Sequence, residues 1–118
     1  LRILLRKIKT MKISNISIIN SDFSKGFNLN NNYVSGILFA FSLHYHTNID
    51  RIISKTEVIL NKNDHKLIII DYNRKTPLPW VPYPYYLNKM IDILKNVKFI
   101  KIKILFSNNR YYILEAQR

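Results

Sequence analysis

Cysteine is absent from this sequence, which rules out a disulfide framework and any thiolate metal site. Glycine occurs only twice, at Gly26 and Gly36. Phosphate-cradling loops need several glycines for close backbone approach, so P-loop and dinucleotide fingerprints are excluded. No G-x-S-x-G nucleophile turn occurs either. The seven acids are scattered, a poor basis for the paired carboxylates of nuclease or glycosidase chemistry. Long apolar runs are also missing. The longest uncharged stretch, Gly26 to Ile49, is interrupted by asparagines and histidines, and its apolar heart spans only Tyr33 to Leu43. A membrane-crossing helix needs about 20 apolar residues, so no transmembrane segment is expected. No secretory signal is visible at the basic N-terminal end.

Positive charge is plentiful. Nineteen Lys and Arg give a net charge of +12 and a pI near 10.0. A field of that size favours polyanions, and it exceeds the roughly 2 to 8 net charges that keep a small domain soluble. Ile, Asn, Lys, Tyr and Phe make up more than half of the 118 residues, whereas Ala and Gly are rare. The favoured residues have A/T-rich codons, which points to an AT-rich genome such as that of an organelle, a parasite or a virus. With 47% hydrophobic residues the chain reads as one folded domain, residues 1–118.

Residues 72–86, Y-N-R-K-T-P-L-P-W-V-P-Y-P-Y-Y, hold all four prolines, the only tryptophan and half of the tyrosines. Proline fixes φ, removes a donor and biases its predecessor away from helix. The stretch therefore reads as an extended strap with Trp80 packed inward and Arg74 and Lys75 facing out. Around it, Leu1, Leu4, Leu5 and Ile8 fall at helical spacing in a basic arm over residues 1–11. Isoleucine-rich Lys12–Ile19 reads as a strand, and 20–32 as a loop. Alternation from Ile37 to His46 predicts a second strand. Asn48 caps a helix reaching about Asn61, followed by a strand from His65 to Tyr72 that is apolar on both faces and hence central. Leu87, Met90, Ile91 and Leu94 predict a helix ending near Asn96. Ile100, Ile102, Ile104 and Phe106 predict a strand over 97–106 with that set facing the core. An Asn-rich turn then leads to a last strand over 110–115. The fold expected is α/β (α+β): a small mixed sheet of about five strands, two packed helices, a basic N-terminal helix and the Pro/aromatic strap.

For catalysis, His44 and His46 share one strand face, and His65, Asp50, Asp64 and Asp71 are the imidazole and acids available to join them in space. No spacing fixes a third ligand, so no metal, cofactor or catalytic residue is expected, and the two histidines read as surface groups. L-N-N-N-Y-V-S-G at 29–36 faintly resembles the approach to the helix of LAGLIDADG endonucleases, but I-L-F-A-F-S follows where the metal-binding acid should be. Binding chemistry is better supplied. Trp80, Tyr83 and Tyr85 offer stacking faces, Arg74 and Lys75 can neutralise phosphates beside them, and Lys101, Lys103 and Arg110 form a second basic group. Arg2, Arg6, Lys7 and Lys9 make the arm a third, the alternatives there being a packed first helix, a lipid-surface helix or an uncleaved targeting-like sequence.

Small size, basicity and AT-biased composition together resemble organelle-encoded ribosomal proteins, a resemblance that rests on no family motif. It implies a non-enzymatic structural subunit of a mitochondrial ribosome in the matrix, contacting rRNA and neighbouring ribosomal proteins and taking no small-molecule substrate. The competing expectations are an accessory subunit of an organellar membrane complex and a nucleic-acid-processing enzyme such as a degenerate nuclease, for which His44 and Asp71 would be the residues to change.

Overall fold

Period-2 and period-3.6 patterning translate into six regular elements in a computed structural model of the protein. It describes residues 6–7, 9–11, 14–17, 19, 21–27, 34–60 and 66–117. Strand β1 (Gly36–Ala40) leads to helix α1 (Ile49–Ile59) and strand β2 (Lys66–Tyr72). Helix α2 (Leu87–Asn96) follows the strap, and β3 (Lys101–Ser107) and β4 (Tyr111–Gln117) close the chain as a hairpin. The sheet order is β1-β2-β4-β3. β1 pairs parallel with β2, while β4 lies antiparallel to both β2 and β3. The result is a mixed α/β domain with four strands and two packed helices among the described residues, where about five strands were expected.

The strand expected over Lys12–Ile19 lies partly outside the described residues. Among its described residues none is extended in the sheet, and Ile16 and Ile19 are exposed. Its isoleucines do not keep period 2, and Ser14, Asn15 and Ser17 are poor strand formers, so no face is available to bury. In the basic arm, Arg6, Lys7, Lys9 and Thr10 are helical as expected, with the Met11 amide donating to the Lys7 carbonyl. Arg2 lies outside the described residues.

One face of the sheet carries the core. Phe39, Leu67, Ile69, Tyr112, Leu114 and Ala116 are buried against Ile49, Ile52 and Ile53 of α1 and Met90 and Leu94 of α2. Each fully buried aliphatic side chain of this kind contributes about 1.5–3 kcal/mol. β2 is central, as its two-faced apolar run requires. The other face stays partly open: Leu38 is 59% exposed, and Ile68, Ile70 and Ile113 are half-buried. No helix among the described residues is long and apolar enough to cross a membrane.

β3 departs from its expected burial. Ile100, Ile104 and Phe106 are exposed, and Phe99 takes the core position instead. The strand is at the sheet's edge, where the helices no longer cover it. A bulge between Ile104 and Phe106 shifts its register, so that Phe106 pairs with Ile113. Alternation fixes which residues share a face but not how far the covering layer extends. The Asn turn behaves as its chemistry suggests, the Asn108 side chain accepting from the amides of Arg110 and Tyr111.

Candidate functional site

β1, β2 and β3 all run in the same direction, since β4 is antiparallel to both β2 and β3. Their carboxyl ends and the loops 41–48, 73–86 and 108–110 therefore gather at one edge of the sheet. In open α/β sheets, ligands bind in the crevice outside the carboxyl ends of the strands. This edge also holds the chain's least ordinary chemistry.

β1 stops abruptly. Phe41 donates a last ladder bond to the Ile70 carbonyl and then adopts a φ of 51°, a left-handed conformation that a bulky aromatic rarely takes. Leu43–Tyr45 then curls into a 3-10 turn, so the predicted strand does not reach His46. The turn drives His44 inward, where its Nδ1 lies 2.7 Å from Asp71 Oδ1 on β2. Both side chains are essentially inaccessible. This corrects the reading of His44 as a surface residue. His46 stays half-buried, its ring edge-on to Phe23.

The pair is incompletely satisfied. The Tyr72 amide also donates to Asp71 Oδ1, but Asp71 Oδ2 and His44 Nε2 have no hydrogen-bond partner among the described residues. Buried polar atoms left unpaired cost about 1–3 kcal/mol each, so they mark places where something other than stability is served. Burial pushes the Asp71 carboxyl above its ordinary range, and the hydrogen bond from His44 pulls only partly against it. Tyr45 lies over His44 at 4.2 Å between ring centroids, with Tyr72 at 5.4 Å. Phe41 packs on Tyr72 at 4.9 Å, and Phe106 on Tyr111 at 5.2 Å, extending an aromatic surface along the edge. Among the described residues no set of His, Asp and Glu could hold a metal ion.

The strap is anchored beside this pair. Its Tyr83 amide donates to the His44 carbonyl at 3.0 Å. The Tyr85 hydroxyl donates towards the His46 and Thr47 carbonyls, at 2.5 and 2.8 Å, while Tyr112 donates to the Tyr85 carbonyl. Burial, with Asp50 and Asp71 nearby, pushes the Tyr85 phenol up to about 12. Within the strap Leu78 and Val81 exchange both backbone bonds around Pro79-Trp80, so the segment is not extended throughout. That turn puts Val81 in the interior and leaves Trp80 58% exposed, the reverse of the burial expected for the tryptophan.

The candidate binding residues scatter. Arg74 is half-buried and turned on Thr76, its Nε donating to the Thr76 carbonyl at 2.6 Å. Tyr85 is buried with its hydroxyl engaged and offers no open stacking face. Lys75 and Tyr83 stay with it in the strap. Arg110 sits in the β3–β4 turn, joined to the strap by the Asn73 amide donating to its carbonyl. Lys101 and Lys103 are exposed on β3 at the far side of the sheet, and Arg6, Lys7 and Lys9 on the arm. The fold therefore does not assemble one basic surface from them. Sequence reasoning named His44 and Asp71 as residues that could meet but set them aside as surface groups, although Asp71 shares the parity of buried Leu67 and Ile69, which turns it inward.

The solved structures decide the fold. A SAM-dependent methyltransferase from Aquifex aeolicus matches 95% of this chain and 60% of its own, with a TM-score of 0.76 at 17% identity. A second, from Archaeoglobus fulgidus, matches 95% of this chain and 72% of its own, with a TM-score of 0.67 at 11% identity. The chain shares the fold of these two proteins. No family model matches it, and no curated protein matches its sequence. The expectations of a ribosomal, rRNA-binding structural subunit, of no enzyme and of no small-molecule substrate are corrected by this finding, because both proteins are enzymes that depend on the small molecule SAM. The earlier reading rested on surface charge and codon-driven composition, and neither determines how strands are ordered.

Whether these residues fit SAM can be asked of the two glycines. Close backbone approach to a nucleoside needs positions where a Cβ would intrude. A Cβ on Gly26 would meet nothing within 4 Å, and one on Gly36 would meet only the Lys66 carbonyl at an ordinary 3.5 Å. Gly36 also opens β1, at the edge opposite the site. These residues do not by themselves form a SAM cradle.

Proposed function

We propose that this chain forms part of a SAM-dependent methyltransferase and supplies the acceptor side of its site at the carboxyl edge. The observation that carries the reading is the match of 95% of the chain to the Aquifex enzyme at a TM-score of 0.76. The chain spans 60% of that enzyme's length and lacks a glycine cradle of its own. The donor site is accordingly assigned to further protein of the kind that makes up the rest of both neighbours. The buried His44–Asp71 pair, the left-handed Phe41 and the aromatic edge support placing the acceptor here, since strained and unsatisfied groups gather at functional sites.

Affinity isolation of the tagged chain from its own cells tests the proposal. The isolate, incubated with methyl-labelled SAM, should bind the label and transfer methyl groups, whereas the purified 118-residue chain alone should hold SAM at least about a hundredfold more weakly. An isolate that neither binds SAM nor transfers methyl groups would overturn the reading.

A further inference from the structure

Beside the edge, between the strap and the two helices, lies an open groove of about 590 Å³. Ligand pockets commonly run from about 300 to 1,000 Å³, so the groove has the size of a small-molecule site. Ile49 and Ile93 give the groove an aliphatic side, and Pro82, Tyr83 and Pro84 a flat one. Two cations stand in it. Lys75 Nζ lies 5.1 Å from the centre of the Tyr86 ring, and Lys89 Nζ lies 5.2 Å from that of Tyr85. Neither lysine is in an ion pair among the described residues. A cation resting on a ring gains only about 0.5–1 kcal/mol at an exposed site, less than a charge-assisted bond to an anion. Asp50 is the single acid on the lining, and it does not reach salt-bridge distance of either lysine.

We infer that this groove binds a small planar acid, with its anionic group on Lys75 and Lys89 and its flat apolar body against the proline-tyrosine wall. A hydroxyl or amino substituent on that body would find Asp50 as an acceptor. The groove is built before any ligand arrives. Prolines stiffen the strap, the Tyr85 hydroxyl ties it to the His46 and Thr47 carbonyls, and Asn73 Oδ1 accepts from the Leu87 amide where α2 begins. A preformed wall loses little conformational entropy on binding. The inference goes beyond the methyltransferase reading and does not rest on it, because it concerns binding and not transfer.

The test uses the full chain, titrated calorimetrically with 4-hydroxyphenylacetate, with phenyl phosphate and with neutral 4-hydroxybenzyl alcohol, while backbone amide shifts are followed by NMR. At least one acid should bind about tenfold or more tighter than the alcohol, a difference of about 1.4 kcal/mol. The carboxylate and phosphate arms identify the preferred anion. Shifts should concentrate at Tyr83, Tyr85 and Lys89. Lys75→Met with Lys89→Met keeps the aliphatic stems and should weaken the acid about tenfold. Lys95→Met, an exposed change outside the groove, should leave it unaltered. Equal binding of acid and alcohol, no binding of either acid, or equal weakening by Lys95→Met would overturn the inference, the last by showing that the overall positive field alone attracts the acid.

Discussion

Two polar side-chain pairs of nearly equal length hold β2 at its two ends, and they do opposite things. At the carboxyl end, His44 and Asp71 meet at 2.7 Å with both side chains out of water. At the amino end, Lys66 Nζ lies 2.9 Å from Glu115 Oε1 with the lysine side chain 56% exposed. Distance alone would rank them together. Solvent separates them: an exposed pair exchanges water contacts for a weak, screened attraction, whereas a buried pair makes each partner depend on the other. The carboxyl end is thus the region where one substitution strands a fully buried partner, whereas at the amino end the acid left behind, Glu115 at 13% exposure, still reaches water.

The largest effect should come from separating the buried pair. His44→Ala leaves the Asp71 carboxylate without its main partner and should cost about 3–5 kcal/mol in chemical denaturation at neutral pH. Asp71→Asn at the same site, which keeps a polar group facing His44, should cost less. The pH dependence sharpens the point. Burial holds the folded carboxyl above its ordinary value, so the folded state binds its proton more tightly than the unfolded chain does. That contribution to stability is fully present below the ordinary aspartate range near 3.9 and is lost as pH rises through the raised value. His44→Ala should therefore regain stability as the pH is lowered towards that range. A penalty that is the same across the whole range would mean that lost packing, and not a stranded charge, explains the substitution.

A smaller effect is expected at Tyr85, on the strap beside the same end. Removing its hydroxyl in Tyr85→Phe gives up bonds to the His46 and Thr47 carbonyls and should cost about 1–2 kcal/mol. Its phenol sits at about 12 in the fold against about 10 in a free chain. The neutral form is favoured by folding, so its contribution is complete below about 10 and is lost as pH rises to about 12, a fall of about 2 kcal/mol. Alkaline unfolding followed by circular dichroism should show a shallower decline between those values in Tyr85→Phe than in the unchanged chain.

Much of this framework was open to sequence reasoning, for physical reasons. The run Leu67–Ile70 is apolar on both parities, which requires a central strand, and β2 is central. Leu87, Met90, Ile91 and Leu94 keep helical spacing, and α2 covers them. The Asn108 turn follows from a short side chain that satisfies its own neighbours. The site was less legible, because its groups come from separate segments. His44 and Asp71 are 27 residues apart, and alternation over Ile37–His46 concealed the break at Phe41 that turns His44 inwards. Trp80 is exposed because Pro79 starts a tight turn, a local event that the density of prolines does not locate. The basic residues, read as separate groups on the arm, the strap and the hairpin, stay apart in the fold, and net charge carries no information on their placement.

The smallest effect belongs to the amino end. Lys66 pairs with Glu115 across neighbouring strands, one on β2 and one on β4, beside the registered pair Ile68 and Glu115. Lys66→Met keeps the stem that lies along the sheet and removes only the charge, so it should change stability by no more than about 0–1 kcal/mol. Whatever it contributes must fade with salt, because the Debye length shrinks to about 3 Å at 1 M and the lysine faces water. Denaturation of Lys66→Met and of the unchanged chain should therefore converge at high salt, while the His44→Ala difference persists there. If the amino-end pair resisted salt as strongly as the buried one, solvent exposure would not be what separates the two ends, and the assignment of function to the carboxyl edge would lose one of its supports.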